Sequence, residues 1–335
     1  MQTRSLGRSG LQVPELCLGT MTFGLQTNEQ VSCEILDRAL DRGLDFLDTA
    51  DVYPLGGKLE DVGRTEEILG RWMEARGNRD RILLATKCRG RMGPGSNDEG
   101  LSRQHILRAV DESLRRLRTD WLDLYQTHFF DPNTPIDETL RALDDLVRSG
   151  KVRYIGCSNY PAWRLGEALA AGERLGVARY ESVQPRYNLL YREIETELLP
   201  LCAAQGLGVL VYNPLAGGLL AGKYRRGEEP SQGSRFTLGT AAKIYQWRYW
   251  QPAQFEAVEA LNKLAEERGM NLVSVSIAWV LEQPGISSVI IGASRPDQLD
   301  ASFAALELKL DDDLREACDA VWWQLPRRPV VEGYR

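Results

Sequence analysis

The sequence has few of the features that mark metal enzymes, secreted proteins or membrane proteins. Among its 335 residues are two histidines, and neither belongs to an HExxH pattern, which argues against a zinc hydrolase and predicts no metal site. Six cysteines are scattered without CxxC spacing, as is typical of reduced thiols in the cytosol. No apolar run approaches the roughly 18 residues of a membrane-spanning helix, and the N-terminus lacks a signal-peptide core. We therefore expect a cytoplasmic protein that does not enter a membrane.

Positive charge is also in deficit. Lysine and arginine total 41 residues against 47 aspartates and glutamates, a formal net charge of −6. Such a chain repels a phosphate backbone at long range, so we expect no nucleic-acid partner. The GxGxxG turn of an open doubly wound dinucleotide-binding sheet is absent too. A GxxxxGK match ends at Lys223, but Tyr224 follows where a P-loop needs serine or threonine, which excludes a P-loop.

The chain does contain a regular alternation of strand-like and helix-like segments. Eight short apolar runs predict strands at 16–18, 46–48, 82–87, 122–127, 154–158, 182–186, 208–213 and 288–291. Apolar residues recur at helical spacing in 29–41, 65–76, 103–117, 135–149, 161–175, 192–205, 254–268 and 296–305. For the helix at 103–117, Ser102 is the expected N-cap.

This alternation predicts a single α/β domain over residues 1–335, with parallel strands and right-handed crossovers closed into a (β/α)8 TIM barrel. An open doubly wound sheet ranks second. Residues 3–15 hold turn residues between alternating runs, which predicts a β-hairpin before the barrel. Segment 215–252, after the seventh strand, is too long for an ordinary loop and is expected to carry function. A last helix is predicted over 311–323, and the chain beyond it, with Pro326 and Pro329, is expected near the barrel mouth.

Four polar residues fall at or just beyond the ends of three predicted strands. Asp48, Lys87 and His128 each complete an apolar run, and Tyr53 lies on the loop after Asp48. Neighbouring parallel strands bring their carboxyl ends to one rim, so these side chains should converge there. Each alone has an ordinary structural explanation, such as a turn cap or a satisfied core histidine. Together they predict an active site in which a cation, Lys87, assists a phenol as proton donor.

In this order, and with five residues from Asp48 to Tyr53, the set resembles the catalytic tetrad of the aldo-keto reductases. The likeness extends over nearly the whole chain. It implies NADPH-dependent reduction of an aldehyde or ketone, with NADP(H) as cofactor and a small carbonyl compound as partner. Tyr53 would donate the proton, and Lys87, Asp48 and His128 would support it, with His128 either orienting the carbonyl oxygen or sharing in the proton relay.

Other stretches resemble the family's cofactor contacts. Ser158, Asn159 and Gln184 match residues that bind the nicotinamide carboxamide, and Tyr212 matches the aromatic residue on which the ring stacks. In the branch that includes potassium-channel β subunits, the positions of Lys223 and Arg235 line the cofactor's phosphates. The full set that the resemblance implies is Thr20, Met21, Asp48, Ser158, Asn159, Gln184, Tyr212, Asn213, Pro214, Leu215, Ala216, Gly217, Lys223, Arg235, Gly292, Ser294, Gln298 and Ser302.

The adenosine end departs from many relatives, which carry Lys, Arg and Asn at the positions of Gly292, Gln298 and Ser302. The strength of an NADPH preference is therefore open, and Arg295 is a candidate to compensate. Backbone amides that open the final helix are a further phosphate-binding device.

Other functions stay open at this point. A module that binds NADPH and reports redox state to a partner, as the channel β subunits suggest, competes with an enzyme. A metal-dependent barrel hydrolase or isomerase would need ligands that two histidines do not obviously supply. The natural substrate and the oligomeric state do not follow from the sequence. Among lesser residues, Cys88 is expected to be a buried inert thiol, His105 a surface residue, and the candidates for substrate-pocket walls are Trp247, Trp250, Trp322 and Trp323.

Overall fold

The computed structural model describes residues 1–327, and a closed barrel of eight parallel strands forms its centre. Two strands precede the barrel, β1 (Thr3–Ser5) and β2 (Gln12–Pro14). The barrel strands are β3 (Leu16–Gly19), β4 (Phe46–Asp48), β5 (Leu83–Cys88), β6 (Leu122–Thr127), β7 (Val152–Ser158), β8 (Ser182–Gln184), β9 (Gly208–Tyr212) and β10 (Ser288–Ile291). Around the barrel the order is β10-β3-β4-β5-β6-β7-β8-β9. The predicted (β/α)8 barrel is confirmed, and the open-sheet alternative is wrong.

The predicted hairpin is present and closes the lower end of the barrel. β1 and β2 pair antiparallel, and the fully buried Leu6 and Val13 pack against side chains of the barrel interior. Gly7 lies so close to the chain entering β9 that a Cβ there would sit 2.5 Å from the carbonyl oxygen of Gly206. With a φ of +59°, Gly7 also occupies a conformation that a side chain disfavours, so this position requires glycine.

Helices surround the barrel. They are α1 (Glu29–Asp41), α2 (Arg64–Arg76), α3 (Arg103–Leu117), α4 (Ile136–Arg148), α5 (Ala162–Leu175), α6 (Leu198–Gln205), α7 (Ala242–Tyr249), α8 (Pro252–Glu267), α9 (Leu272–Glu282), α10 (Leu299–Ala304) and α11 (Asp312–Gln324). Ser102 caps α3 as predicted, because its hydroxyl accepts a hydrogen bond from the amide of His105 at 3.3 Å. Helix α11 matches the last predicted helix, and Pro329 lies outside the described residues.

The structure differs from the predicted helices in three places. Helix α6 begins six residues later than predicted, because residues Glu193–Glu195 form a separate 3₁₀ turn. Helix α9 was not predicted: it is apolar on almost every side, so it carries no amphipathic period. Helix α7 lies inside the long segment 215–252, which also contains three short 3₁₀ turns.

The barrel interior is built in two layers. The lower layer is apolar and includes Phe46, Ala85, Leu124, Leu210 and Ile290. Side chains of a strand alternate between its two faces, so the residue two positions later on each strand also points inward. Those residues are Asp48, Lys87, Gln126, Tyr212 and Gly292. A polar layer therefore lies directly on an apolar one, toward the carboxyl ends of the strands.

Candidate active site

The centre of the polar layer is a buried ion pair. Lys87 Nζ donates hydrogen bonds to Asp48 Oδ2 at 2.5 Å and to the carbonyl oxygen of Thr49 at 2.8 Å. The other carboxylate oxygen, Asp48 Oδ1, accepts from Gln184 Nε2 at 2.8 Å and from Gln126 Nε2 at 3.2 Å. Lys87 is fully buried and Asp48 nearly so. These contacts satisfy the carboxylate and fix the ammonium, which is the condition for a charged pair to persist in a protein interior.

Tyr53 reaches this pair from the loop after β4. Its ring is buried, meets the His128 ring edge-on with centroids 5.8 Å apart, and lies 5.2 Å from Lys87 Nζ. Burial raises the pKa of the Tyr53 phenol well above its ordinary value, and the charge of Asp48 adds to this, while Arg235 opposes it. Tyr53 is therefore a protonated phenol at neutral pH.

His128 is a neutral imidazole in this setting. It follows β6, and its amide donates to the carbonyl oxygen of Cys88 at 2.9 Å, which ties it to the end of β5. Burial lowers the pKa of His128 well below its ordinary value, and the positive charges of Lys87 and Arg89 lower it further. A neutral imidazole keeps one N–H donor and one acceptor nitrogen.

Two asparagines shape the opposite side of the rim. Asn159 after β7 and Asn213 after β9 have φ values of 59° and 63°, the left-handed region in which asparagine is enriched. Asn159 donates to the carbonyl oxygen of His128 at 3.0 Å and accepts from the Tyr212 hydroxyl at 2.8 Å. Asn213 accepts from the amide of Gly217 at 2.6 Å and donates to the Tyr249 hydroxyl at 2.9 Å. Tyr249 thereby ties α7 to the strand ends.

A cavity of about 400 Å³ opens above these residues. Tyr53 and His128 lie in its wall, while Lys87 is covered by them and does not reach it. The predicted cofactor residues that line the cavity are Met21, Asp48, Ser158, Asn159, Gln184, Tyr212, Asn213, Pro214, Leu215, Gly217, Lys223, Arg235, Gly292, Ser294, Gln298 and Ser302. Thr20 and Ala216 do not reach the cavity: Thr20 donates its hydroxyl to the carbonyl oxygen of Asp48 at 3.0 Å, and Ala216 is buried beneath the turn.

The far end of the cavity is positively charged. Within residues 1–327, neither Lys223 nor Arg235 has a carboxylate within ion-pair distance, and Arg235 Nη1 is buried without a hydrogen-bond partner. A Cβ on Gly292 would lie 3.7 Å from Arg235 Nη2, so a long side chain there would crowd the guanidinium. Arg295, the candidate to compensate, is exposed and pairs with Asp297 outside the cavity.

Several expectations need correction or addition. His105 is buried, not at the surface, and its pKa is lowered by burial. None of the four candidate tryptophans lines the cavity; Trp250 packs against Phe236 and Phe255 instead. Cys88 is buried and burial raises its pKa, as expected of an inert thiol. Wall residues that the sequence argument missed include Thr22, Gln26, Leu55, Phe129, Ile244, Tyr245 and Arg248.

The polar layer and the cavity lie at the carboxyl ends of the barrel strands, where enzymes of the TIM-barrel class have their active sites. The sequence model described as the Aldo/keto reductase family matches residues 15–322, and the chain belongs to this family. The family uses nicotinamide cofactors, and the unpaired Arg235 and the glycine at 292 fit such a group.

Curated relatives cover almost the whole chain. It is 40% identical to the "Uncharacterized oxidoreductase YrpG" of Bacillus subtilis (strain 168), over 94% of each chain. It is 37% identical to a "Probable voltage-gated potassium channel subunit beta" of Arabidopsis thaliana, over 100% of each. It is 33% identical to "Protein tas" of Escherichia coli (strain K12), over 96% of this chain and 97% of that one.

Residues 1–327 contain neither a candidate membrane-spanning helix nor a candidate metal-binding cluster. No helix there is both long and apolar enough to cross a membrane. No three histidine, cysteine, aspartate or glutamate side chains there are grouped so as to hold a metal ion.

Proposed function

We propose that this protein reduces aldehydes or ketones to alcohols with NADPH, and that Tyr53 is the proton donor. The observation that carries the proposal is the meeting of a protonated phenol and a neutral imidazole, Tyr53 and His128, in the wall of a cavity of about 400 Å³ that Lys223 and Arg235 also line. NADPH, when bound, supplies the hydride.

Tyr53 and His128 divide the remaining work at the carbonyl oxygen. Tyr53 donates its proton as negative charge develops on that oxygen, and His128 orients the oxygen with its N–H. Lys87 lies 5.2 Å from the Tyr53 ring, so its ammonium stabilises the phenolate left behind. Asp48 holds that ammonium through a 2.5 Å contact and is itself oriented by Gln126 and Gln184. The ammonium of Lys87 is thus held in place beforehand and needs no reorganisation during the reaction.

The cofactor proposal rests on the residues that line the cavity and on their charge. Ser158, Asn159 and Gln184 would hold the nicotinamide end, beside Tyr212. Lys223 would meet the pyrophosphate and Arg235 the 2′-phosphate, because a guanidinium fork suits a terminal phosphate. Arg235 lines the cavity without an anionic partner within the described residues, and its buried Nη1 would gain one when a phosphate binds there.

The substrate proposal rests on the wall beside Tyr53. Leu55, Phe129 and Tyr245 line this side, and the Phe129 ring stacks on His128 at 5.2 Å between centroids. We expect carbonyl compounds with apolar substituents to bind better than charged ones, because transfer of an apolar group into such a wall releases about 25 cal/mol per Å².

A substrate panel with NADPH and with NADH tests the proposal, followed by the absorbance of the reduced nicotinamide. Replacing Tyr53 by Phe should lower kcat by about 10²- to 10⁴-fold, because only the donated proton is lost. The affinity of this variant for the cofactor, measured by fluorescence titration, should stay unchanged. A variant that keeps more than half of the wild-type kcat would rule out Tyr53 as the proton donor.

A regulatory module that binds NADPH is the second candidate. It is favoured by the names of relatives from Arabidopsis thaliana and Oryza sativa, each called a probable voltage-gated potassium channel subunit beta. Tight NADPH binding with slow turnover of every carbonyl compound in the panel would support this candidate over the first.

A further inference from the structure

Behind the candidate active site lies a buried cluster of three carboxyl groups and two cations. Asp48 pairs with Lys87 at 2.5 Å, and Glu66 of α2 pairs with Arg116 of α3 at 2.7 Å. The third carboxyl group belongs to Asp51, which sits between Asp48 and Tyr53 in the chain and is fully buried. With all five groups charged, the cluster would carry one uncompensated negative charge.

The two existing pairs leave no cation free for Asp51. Lys87 also donates to the carbonyl oxygen of Thr49, and both carboxylate oxygens of Glu66 are engaged, one by Arg116 and the other by the Thr86 hydroxyl at 2.6 Å. Within the described chain, neither carboxylate oxygen of Asp51 makes a hydrogen bond of normal geometry. The backbone amide of Val52 lies near enough to lower the pKa of Asp51, against the larger effects of burial and of Glu66, which raise it.

An ionised carboxylate without partners in a protein interior is strongly disfavoured, and the usual response is to take up a proton. We propose that Asp51 is a positioning residue which the fold holds as a neutral carboxylic acid, so that Asp48 alone compensates Lys87. A neutral Asp51 makes the cluster electrically balanced. It also allows the loop that carries Tyr53 to lie against β5, where the Asp51 amide donates to the carbonyl oxygen of Lys87 at 3.1 Å.

The groups that face Asp51 come from every element packed on it. They are Glu66 of α2, Arg116 of α3, Lys87 and Cys88 of β5, Tyr125 of β6, and Tyr53 of the same loop. Burial raises the pKa of Asp51 well above its ordinary value and the charge of Glu66 raises it further, whereas Arg116 and Lys87 act in the opposite direction. A charge on Asp51 would in turn make Tyr53 a weaker acid. The activity part of this inference rests on the proposed function, but the protonation of Asp51 does not.

Stability measured against pH tests the protonation directly. In the unfolded chain Asp51 ionises near its ordinary pKa of about 3.9, while the native protein keeps the proton. The native state then binds one proton more than the unfolded state, so this group makes the protein less stable as pH rises toward the raised native pKa. Asp51→Asn cannot show this effect. The Tm of Asp51→Asn minus the Tm of the wild type should therefore increase between about pH 5 and about pH 8.

Glu66→Gln provides the matched background. It removes the competing carboxylate and frees Arg116 for Asp51, which should then ionise. In that background, the Tm difference caused by Asp51→Asn should not grow with pH. A wild-type difference that stays constant with pH, or that favours Asp51 as pH rises, would overturn the proposal, because Asp51 would then be charged in the native protein.

A measurement on the wild type does not depend on any variant folding. Infrared spectra of protein with ¹³C-labelled aspartate should contain the carbonyl stretch of a protonated carboxylic acid at about pH 8, where ordinary aspartates are ionised. Absence of this band would overturn the proposal. If the band and the Tm difference are found but no carbonyl compound is reduced, the proposed function fails and the neutral Asp51 stands. With turnover, kcat normalised to neutral pH should fall less at alkaline pH in Asp51→Asn than in the wild type.

Discussion

The prediction that most directly tests the nucleotide end of the cavity is Arg235→Met. Methionine keeps an unbranched apolar stem but removes the guanidinium, whose Nη1 is buried without a partner. A hydrogen bond to a charged group contributes about 1.5–3 kcal/mol, which corresponds to about 10- to 150-fold in Kd. The site is partly open to solvent, so we expect about 30-fold weaker NADPH binding. NADH lacks the 2′-phosphate and should bind with nearly unchanged affinity.

Fluorescence titration with both dinucleotides measures this difference. Lys223→Met should weaken both dinucleotides alike, since the pyrophosphate is common to them. Arg295→Met is the matched control, because Arg295 pairs with Asp297 at the surface and should affect neither. The ligand-free Arg235→Met protein should not lose Tm, because removing an unpaired buried cation costs no ion pair. Equal weakening of NADPH and NADH would show that Arg235 does not recognise the 2′-phosphate.

Three further predictions concern the active site and the long segment. Lys87→Met should destabilise the protein by about 3–5 kcal/mol in denaturant titrations, because Asp48 is left buried and unpaired. Adding Asp48→Asn should recover part of this loss, and a double variant whose loss is the sum of the two single losses would contradict the prediction. Because the pKa of His128 is lowered well below 6.5, kcat should not change with pH between about pH 6 and about pH 8. A change in kcat near pH 6.5 that disappears in His128→Asn would count against a neutral imidazole. NADPH should slow amide hydrogen exchange in segment 215–252 but not in β4 and β5, and protection confined to residues 292–302 would argue against closure of that segment over the cofactor.

The convergence of Asp48, Lys87 and His128 was predictable from sequence because a strand has only two faces. Once an apolar residue such as Phe46 is assigned to the interior, the residue two positions on must also face inward. Parallel strands then bring these residues to one end of the barrel. The same reasoning places Gln126, which was overlooked because a glutamine in an apolar run gives no chemical signal by itself.

Other features were not accessible from local pattern. Helix α9 is buried all round, so its sequence lacks the 3.6-residue period by which helices are recognised. The burial of His105 and Asp51 depends on which helices pack over them, and that is a property of the closed barrel. The apolar wall beside Tyr53 draws Tyr245 from α7, almost two hundred residues away along the chain. Loop conformation decides such contacts.

The hairpin at the lower end of the barrel has a consequence for the order of events in a catalytic cycle. Since Leu6 and Val13 fill that end, the proposed carbonyl compound and dinucleotide would both enter from the opposite rim, through the same opening. The dinucleotide is the longer of the two, and its expected contacts run along the wall from Ser302 to Tyr212. A carbonyl compound that bound first would block the entry of the dinucleotide. Steady-state kinetics should accordingly show compulsory order, with the nucleotide first to bind and last to leave, and product inhibition patterns will reveal that sequence.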